Sequence, residues 1–400
     1  MITTDFAPNE TIKDAILSTK LILQPWRWVR GGETAKVKRR LRSLFFSNDV
    51  KIHLFLTGRS ALYFFLQSLN LERKSKILVQ AFTCEAVILP ILENGLEPVY
   101  IDINRDDFSM NITDLKDKFS PGSKVLILQH TFGITPKNRL EILSFAKKSN
   151  LMLIEDVAHG FDKTLFQKDM NSNLLMSFGR SKTMSSVFGG AMVTKNKKIS
   201  KTLSELELKV PSPSYLFLLK MALYKPISYL IKLTYDIYLG KIIHFFTKQI
   251  LLIPEITKKE KSGKFDRLLA KSFPNLCAIL LLEQLNTFND VSSVRTRNTT
   301  EYHFRLGGEN FLNTQTLLRF PLLTSEAKKI KKELAKKKIY LGNWYTQVVA
   351  PQGLDLTKMK YIKGSCPVAE DVGDKILNLP TNTTKSETDK IIKNIISRNI

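Results

Sequence analysis

Residues 125–160 read VLILQHTFGITPKNRLEILSFAKKSNLMLIEDVAHG, in which two short apolar runs flank a helix-like stretch. The same alternation extends over residues 51–195. The apolar runs are IHLFL (52–56), ILVQ (77–80), PVYID (98–102), VLILQH (125–130), LMLIED (151–156), LLMSF (174–178) and AMVTK (191–195). Strand-like runs separated by helical patterns are typical of βα units, so we expect an α/β fold with a mostly parallel sheet covered by helices on both faces.

The chain has 400 residues, which is more than usually fold around a single hydrophobic core. No Pro-rich or Gly/Ser-rich linker divides it into independent halves. We therefore expect two interlocked domains: a large α/β domain over residues 1–250 and a smaller C-terminal α+β domain over residues 251–400. Between helical patterns in the second domain, LLRFPLL (317–323) and KILNLP (375–380) are expected to be strands.

The formal net charge of +24 favours phosphate-rich ligands, anionic lipid surfaces or nucleic acid as partners. No nucleic-acid-binding signature accompanies the lysines, so nucleic acid is not expected. Cys84, Cys277 and Cys366 lie far apart and form no CxxC pair, which argues against disulfides and against a metal site. Because the N-terminus also lacks the pattern of a secretory signal, we expect a cytoplasmic protein.

Residues 206–254 are rich in apolar side chains but are interrupted by lysines, and no run reaches the roughly 18–20 apolar residues of a membrane-spanning helix. Two interpretations stay open for this segment. It forms helices that are buried or lie at a dimer interface, or it forms a basic amphipathic surface that rests on a membrane. The Trp- and Arg-rich segment 20–46 is compatible with the second interpretation.

Ligands of such sheets collect beyond the carboxyl ends of the strands, and three candidate groups follow strands there. Asp156 could hold a cationic ring nitrogen, although a carboxylate at this point could equally cap a helix. Lys182 could attack a carbonyl if burial lowers its pKa, although most lysines are solvated. At residues 57–60, TGRS ends a strand and begins a helix, which suits a phosphate, but Ser60 also fits a plain helix cap.

Several motifs, in this order, make the sequence resemble the DegT/StrS-type sugar aminotransferases, a family of fold-type I enzymes that depend on pyridoxal phosphate (PLP). They are TGRSAL, AFTCEAV, QHTFG, IEDVAHG, SFGRSK and, near the C-terminus, CPVAEDVGDKILNLPT. The resemblance implies that Lys182 carries PLP as a Schiff base and that Asp156 pairs with its pyridine nitrogen. The further cofactor contacts that it implies are His159, Ala158, Ser177, Gly58, Arg59 and Ser60.

The sequence departs from this family at two places. Relatives place an aromatic residue over the cofactor ring where this chain has Cys84, which cannot stack as an aromatic ring does. Either Phe82 takes that role, or smaller contacts such as that of Cys84 hold the cofactor ring. A Gly-Tyr-Asn-Tyr-Arg-like stretch, which reaches the neighbouring subunit in relatives, is replaced here by DRLLAKSFPNL (266–276), of which only Asn275 still matches. The contribution of a partner subunit is therefore in question.

The function implied by the resemblance is transfer of an amino group from an amino acid, with glutamate as the expected donor, to a keto sugar. The sugar would be nucleotide-linked, the pathway one of cell-surface polysaccharide or amino-sugar biosynthesis, and the enzyme a homodimer. Lys182 argues against the related dehydratases, which have a histidine there. The alternatives are a catalytically idle binding or regulatory scaffold and a transaminase for a lipid-linked substrate at a membrane surface.

Overall fold

The computed structural model describes residues 1–47, 49–162, 164–167, 170–250, 254–307 and 315–397. Its strands are β1 (Ile2–Thr3), β2 (Lys51–Phe55), β3 (Lys76–Gln80), β4 (Thr83–Cys84), β5 (Glu97–Ile101), β6 (Ser123–Gln129), β7 (Met152–Asp156), β8 (Asn173–Ser177), β9 (Gly190–Thr194), β10 (Arg319–Leu323), β11 (Ile339–Tyr340), β12 (Val349–Ala350) and β13 (Ile376–Pro380). Its α-helices are α1 (Ile12–Ile22), α2 (Glu33–Phe45), α3 (Gly58–Ser68), α4 (Glu85–Glu93), α5 (Ile112–Lys118), α6 (Arg139–Lys148), α7 (Lys197–Lys209), α8 (Tyr215–Thr234), α9 (Leu239–Ile250), α10 (Lys258–Lys261), α11 (Asn275–Asn286), α12 (Phe288–Leu306), α13 (Ala327–Lys336), α14 (Pro367–Lys375) and α15 (Lys385–Ile396).

The central sheet contains seven strands in the order β2-β9-β8-β7-β6-β3-β5, and β9 alone runs against the other six. All seven strands expected from the apolar runs are confirmed. Alternate residues of β3 enter different cores: Ile77 and Val79 join the core of α3 and α4, whereas Leu78 joins that of α5 and α6. Both faces of the sheet are therefore buried, as parallel sheets require.

The carboxyl ends of β6, β7 and β8 lie side by side, because Gln129 pairs with Asp156 and Asp156 pairs with Leu175. On the far side of β9, β2 ends at the same edge and leads into α3. The Thr57 side chain caps α3 by accepting a hydrogen bond from the Ser60 N–H at 3.0 Å. One edge of the sheet thus gathers a helix N-terminus and the last residues of four strands.

In the C-terminal part, β10 and β13 form an antiparallel pair that confirms both predicted strands. The core around α13 and α15 is continuous with the core on one face of the central sheet. Helix α11 packs against α2 in a second core. The division at residues 250 and 251 stays a prediction.

Within residues 206–254, α8 packs against α1, and a buried ion pair joins the two helices. Lys225 Nζ lies 3.0 Å from Asp14 Oδ1 and 3.7 Å from Glu10 Oε1, and neither lysine nor carboxylates reach solvent appreciably. Burial raises the pKa of Asp14, but Lys225 and hydrogen bonds outweigh burial, so the pKa of Asp14 lies below its ordinary value. Among the described helices, none is long and apolar enough to cross a membrane.

Replacing Lys225 with methionine should lower the free energy of unfolding by about 3–5 kcal/mol, because it leaves buried carboxylates without their cation. Urea denaturation of the two proteins measures this difference. Lys220→Met is the control, since Lys220 is on the same helix but partly exposed, and it should change stability by less than about 0.5 kcal/mol. Equal stabilities of the two variants would contradict the role of the ion pair.

Candidate functional site

A cavity opens at the carboxyl edge of the central sheet, and it contains every residue predicted for the site except Ser60 and Phe82. Its lining residues are Thr57, Gly58, Arg59, Cys84, Ala86, Val87, Asp156, Ala158, His159, Leu175, Ser177, Gly179, Arg180, Lys182, Val187, Phe188, Gly189, Glu255, Trp344 and Tyr345. Residues that are distant in the sequence therefore meet around Asp156 and Lys182.

The two consecutive carboxylates at the end of β7 point to opposite faces of the strand and have different surroundings. Glu155 accepts hydrogen bonds from Arg139 Nε at 2.6 Å and from Arg139 Nη2 at 2.9 Å, and it contacts His130 Nε2 at 2.9 Å. Burial raises the pKa of Glu155, but His130 and Arg139 outweigh it and hold that pKa at about 2. Glu155 is thus an internal structural anion.

Asp156, in contrast, faces the cavity. Its Oδ1 accepts a hydrogen bond from the Ala158 N–H at 3.0 Å, and no ion pair engages it within the described residues. Burial raises the pKa of Asp156, which the Ala158 N–H and the Lys182 charge partly offset. A buried carboxylate of this kind is poised to take a cationic hydrogen-bond donor from a ligand.

Lys182 lies in the loop after β8, and its main chain is fixed at both ends. Its N–H donates to the Gly179 carbonyl at 3.2 Å, and its carbonyl accepts a hydrogen bond from the Asn9 amide. Burial lowers the pKa of Lys182, and the negative charge of Asp156 offsets this only in part. A larger fraction of the amine is therefore neutral, which is the form that attacks a carbonyl.

His159 is held as a neutral ring. Its Nδ1 accepts a hydrogen bond from the Phe132 N–H at 3.1 Å, so its Nε2 carries the proton and faces the Tyr345 hydroxyl at 3.2 Å. Burial, Lys182 and Arg319 lower the pKa of His159 well below its usual value. His159 can consequently donate a hydrogen bond without bringing a charge.

The start of α3 forms a small anion cradle. Gly58 and Arg59 occupy the first two helical positions, where backbone N–H groups have no partner in the helix, and the Ser177 hydroxyl lies beside them. A Cβ on Gly58 would lie 3.2 Å from Ser177 Cβ and 3.3 Å from Ser177 Oγ. The absence of a side chain at Gly58 keeps this space open.

Two side chains of the predicted phosphate turn face other partners. The Ser60 hydroxyl donates to the Leu269 carbonyl at 2.6 Å and lies outside the cavity lining, so the structure places it as a packing and capping group. The Arg59 guanidinium pairs with Glu260 and lies 3.6 Å from Glu85. Only the backbone N–H of Arg59 is therefore left for a phosphate.

The position expected to hold an aromatic ring is also different. Cys84 lines the cavity, and burial raises the pKa of its thiol, so it is an inert neutral group. Phe82 is fully buried against other aromatic rings and is not among the lining residues, so the expectation for Phe82 is wrong. The aromatic rings of the cavity are instead those of Phe188, Trp344 and Tyr345.

Sequence reasoning missed Arg180, Glu255, Trp344 and Tyr345. The adjacent pair Trp344-Tyr345, in a stretch otherwise rich in lysine, was a weak signal, whereas Glu255 gave none. Glu255 and Arg180 also line a neighbouring open cleft of about 1150 Å³. The other residues of this cleft are Asp5, Phe6, Ser214, Leu216, Phe217, Lys220, Tyr224, His244, Pro254, Ile256, Lys258, Lys261, Pro351 and Gln352.

Residues 20–211, which include the whole central sheet and Lys182, match the model of the DegT/DnrJ/EryC1/StrS aminotransferase family. The match covers 192 of the 400 residues, and over them the chain is similar to this family. Among curated relatives, GDP-perosamine synthase of Escherichia coli O157:H7 is 27% identical over 145 residues, which are 36% of this chain and 40% of that protein. dTDP-4-amino-4,6-dideoxy-D-glucose transaminase of Shigella dysenteriae is 26% identical over 162 residues, 39% of this chain and 42% of that protein. These alignments span less than half of either relative.

Solved structures share the fold over nearly the whole chain. A DegT DnrJ EryC1 StrS aminotransferase from Brucella abortus has a TM-score of 0.70 at 19% identity, and the match covers 96% of this chain and 95% of that one. NtdA from Bacillus subtilis, solved with bound cofactor PMP, has a TM-score of 0.71 at 16% identity, covering 96% of this chain and 81% of that one. The predicted fold class is confirmed.

Competitive labelling of lysines with acetic anhydride over a pH series should give Lys182 a midpoint below 10.5, the ordinary value of a lysine, because burial disfavours the ammonium. The extent of labelling of the Lys182 peptide is read by mass spectrometry. Asp156→Asn should lower the midpoint further, since it removes a negative charge that favours the ammonium. A midpoint at or above 10.5 in both proteins would contradict the buried, partly neutral amine.

Proposed function

We propose that this protein is a PLP-dependent aminotransferase that moves an amino group from an amino acid, with glutamate as the donor, to a keto sugar. The observation that carries the proposal is the meeting of Lys182, Asp156 and the Gly58–Ser177 cradle in one cavity. The match of residues 20–211 to an aminotransferase family and the names of the relatives support the same activity.

The lining residues suit PLP at each of its polar ends. The N–H groups of Gly58 and Arg59 and the hydroxyl of Ser177 would bind its phosphate, and Asp156 would accept a hydrogen bond from its ring nitrogen. When bound, PLP supplies an electron sink for the carbanion formed at the donor's α-carbon. The chain's own side chains then determine orientation and the movement of protons.

Asp156 would keep the ring nitrogen protonated. A protonated ring nitrogen beside Asp156 would stabilise the ionised carboxylate. It would thereby oppose the rise in the pKa of Asp156 that burial causes. His159, as a neutral donor at Nε2, would orient a ring oxygen together with Tyr345. Lys182 is the base in the cavity with a lowered pKa and would carry the proton from the donor's α-carbon.

A nucleotide-linked keto sugar is the acceptor class that we propose, for the synthesis of amino sugars of cell-surface polysaccharides. The two relatives described above carry GDP and dTDP sugars in their names. The net charge of +24 would attract a diphosphate group. Lys220, Lys258 and Lys261 lie in the cleft beside the cavity, where a carrier group would extend.

Addition of PLP to the purified protein should produce a visible absorption band that L-glutamate abolishes. Borohydride should attach the cofactor to Lys182, as read by peptide mass mapping. Lys182→Ala should lose both signals, because it removes the amine that bonds to PLP. Asp156→Asn should retain PLP but lower the rate of the glutamate-dependent change by on the order of 100-fold or more, since the ring nitrogen loses its anion.

Each outcome discriminates between functions. If PLP produces no band, or Lys182→Ala responds as the parent protein does, the aminotransferase proposal fails and a binding or regulatory scaffold takes its place. An absorption band that depends on Lys182 but is not changed by any amino acid would also favour a binding or regulatory scaffold. A matched control is Lys220→Met, whose side chain lies in the outer cleft and should leave the spectrum unchanged.

A second proposal, docking on an anionic membrane, is favoured by the outer face of α9. Leu239, Ile242, Phe245 and Phe246 lie on one side of this helix and are 46–63% exposed, which is unusual for large apolar side chains. Lys241 flanks them, with its ammonium 4.4 Å from the centre of the Tyr238 ring. An apolar face bordered by lysine, on a chain of charge +24, complements anionic lipid. A lipid-linked substrate would then be within reach of the cleft.

Sedimentation with vesicles of phosphatidylglycerol and phosphatidylcholine tests this face. The bound fraction should fall about tenfold in Phe245→Glu/Phe246→Glu, because two charges replace the inserted rings, and it should fall with added salt in the parent protein. Leu208→Glu, an exposed leucine on α7, is the control. Unchanged vesicle binding by the double variant would contradict the proposal. A homodimer that dissociates only in the double variant would also contradict it, since the outer face of α9 would then be a subunit interface.

A further inference from the structure

Arg180, two residues before Lys182, is a buried cation without an anionic partner. Its residue surface is 8% exposed, and its Nε has no hydrogen-bond partner. No ion pair joins its guanidinium to any residue that the structure describes. Instead, the guanidinium carbon lies 4.3 Å from the centre of the Tyr224 ring and 5.1 Å from that of the Phe188 ring.

Such an arrangement is unfavourable unless a ligand completes it. Removing a charged group from water costs several kcal/mol, and contacts with aromatic rings return about 2 kcal/mol. An aromatic face attracts the charge but is a poor hydrogen-bond acceptor, so these contacts do not replace the oxygen acceptors that the guanidinium N–H groups have in water. A guanidinium presents these donors as a rigid fork that matches the two oxygens of a carboxylate. Arg180 is therefore built to bind an anion.

The surroundings of Arg180 locate that anion next to the reacting centre. Arg180 lines both the cavity of Lys182 and the open cleft, so its guanidinium stands at the passage between them. Glu255 also lines both spaces, but its Oε1 accepts a hydrogen bond from the Ser181 hydroxyl at 3.1 Å, and it lies beyond ion-pair distance of Arg180. It leaves the guanidinium unpaired.

The other cationic side chains around the cavity have different tasks. Arg59 is paired with Glu260 and Glu85. Lys182 would be bonded to the cofactor, and His159 is neutral because its pKa lies well below the usual value. Among the described residues that line the cavity, Arg180 is then the cation left for an anionic part of a substrate.

We propose that Arg180 binds the α-carboxylate of the amino acid donor. This inference rests on the proposed function, in which the donor's amino group meets the cofactor at Lys182. The α-carboxylate is attached to the same carbon as that amino group, so it must lie close to Lys182 in this cavity. Arg180 thereby selects α-amino acids over simple amines and holds the α-carbon where Lys182 can take its proton.

The decisive comparison is between two donors, L-glutamate and 4-aminobutyrate. 4-Aminobutyrate differs from L-glutamate only in lacking the α-carboxylate. In stopped-flow measurements on the PLP-loaded protein, Arg180→Met should lower the second-order rate constant for L-glutamate by on the order of 100-fold, the loss of a two-pronged charged contact. The rate constant for 4-aminobutyrate should change less than about threefold. Arg180→Lys should recover part of the loss, because the charge remains but the fork does not.

Calorimetric titration with glutarate, which is glutamate without its amino group, gives a readout that requires no reaction. The dissociation constant of the PLP-loaded protein should rise at least about tenfold in Arg180→Met. Arg105→Met is the matched control, because Arg105 pairs with Asp371 outside both the cavity and the cleft, and it should bind glutarate as the parent protein does. Each variant is shown to be folded if it retains the PLP band and the circular dichroism spectrum of the parent protein. If Arg180→Met is not folded, Arg180→Lys is used in its place.

The inference is overturned if Arg180→Met reacts with L-glutamate within threefold of the parent rate, or if both donors lose rate equally. Equal glutarate affinity in the parent protein and the variants also overturns it. A parent protein that forms no PLP band shows a failure of the proposed function instead. A glutarate titration of the protein without PLP then still decides whether Arg180 is a carboxylate site.

Discussion

The chemistry of this protein depends on the side-by-side carboxyl ends of β7 and β8 in the central sheet. The pairing of Asp156 with Leu175 fixes the distance between the last carboxylate of β7 and the loop that carries Ser177 and Lys182. Alternation along β7 sends Glu155 into an internal ion cluster and Asp156 into the cavity. A shift of one residue in this register would exchange the two carboxylates and abolish the site.

Burial then sets the protonation of the groups that the sheet brings together. It raises the pKa of Asp156 and lowers those of Lys182 and His159, and in each case the neutral form gains. Glu155 shows the opposite result in the same region, because Arg139 and His130 outweigh its burial. The cavity is consequently short of fixed charge partners, and a ligand with a cationic ring and an anionic group would supply them.

The central sheet could be predicted from the sequence, because each strand is a short apolar run. Such runs, and the motifs between them, consist of residues that are neighbours in the sequence. Asp156 and Lys182 were candidates from the same pattern, because they follow predicted strands, whereas Ser177 came from the resemblance to the family. The partners of Arg59 could not be predicted, since Glu260 lies about two hundred residues away in sequence and carries no motif. Arg180 was not predicted although it lies beside Lys182, because its environment in the fold depends on Tyr224, a residue beyond the family match at residues 20–211.

A crystal structure of the protein crystallised with PLP tests the central claim most directly. The account predicts electron density that continues from Lys182 Nζ into the cofactor, a ring nitrogen about 2.7–2.9 Å from a carboxylate oxygen of Asp156, and a phosphate at the N-terminus of α3 beside Ser177. PLP bound elsewhere, or a ring nitrogen that faces a group other than Asp156, would contradict it.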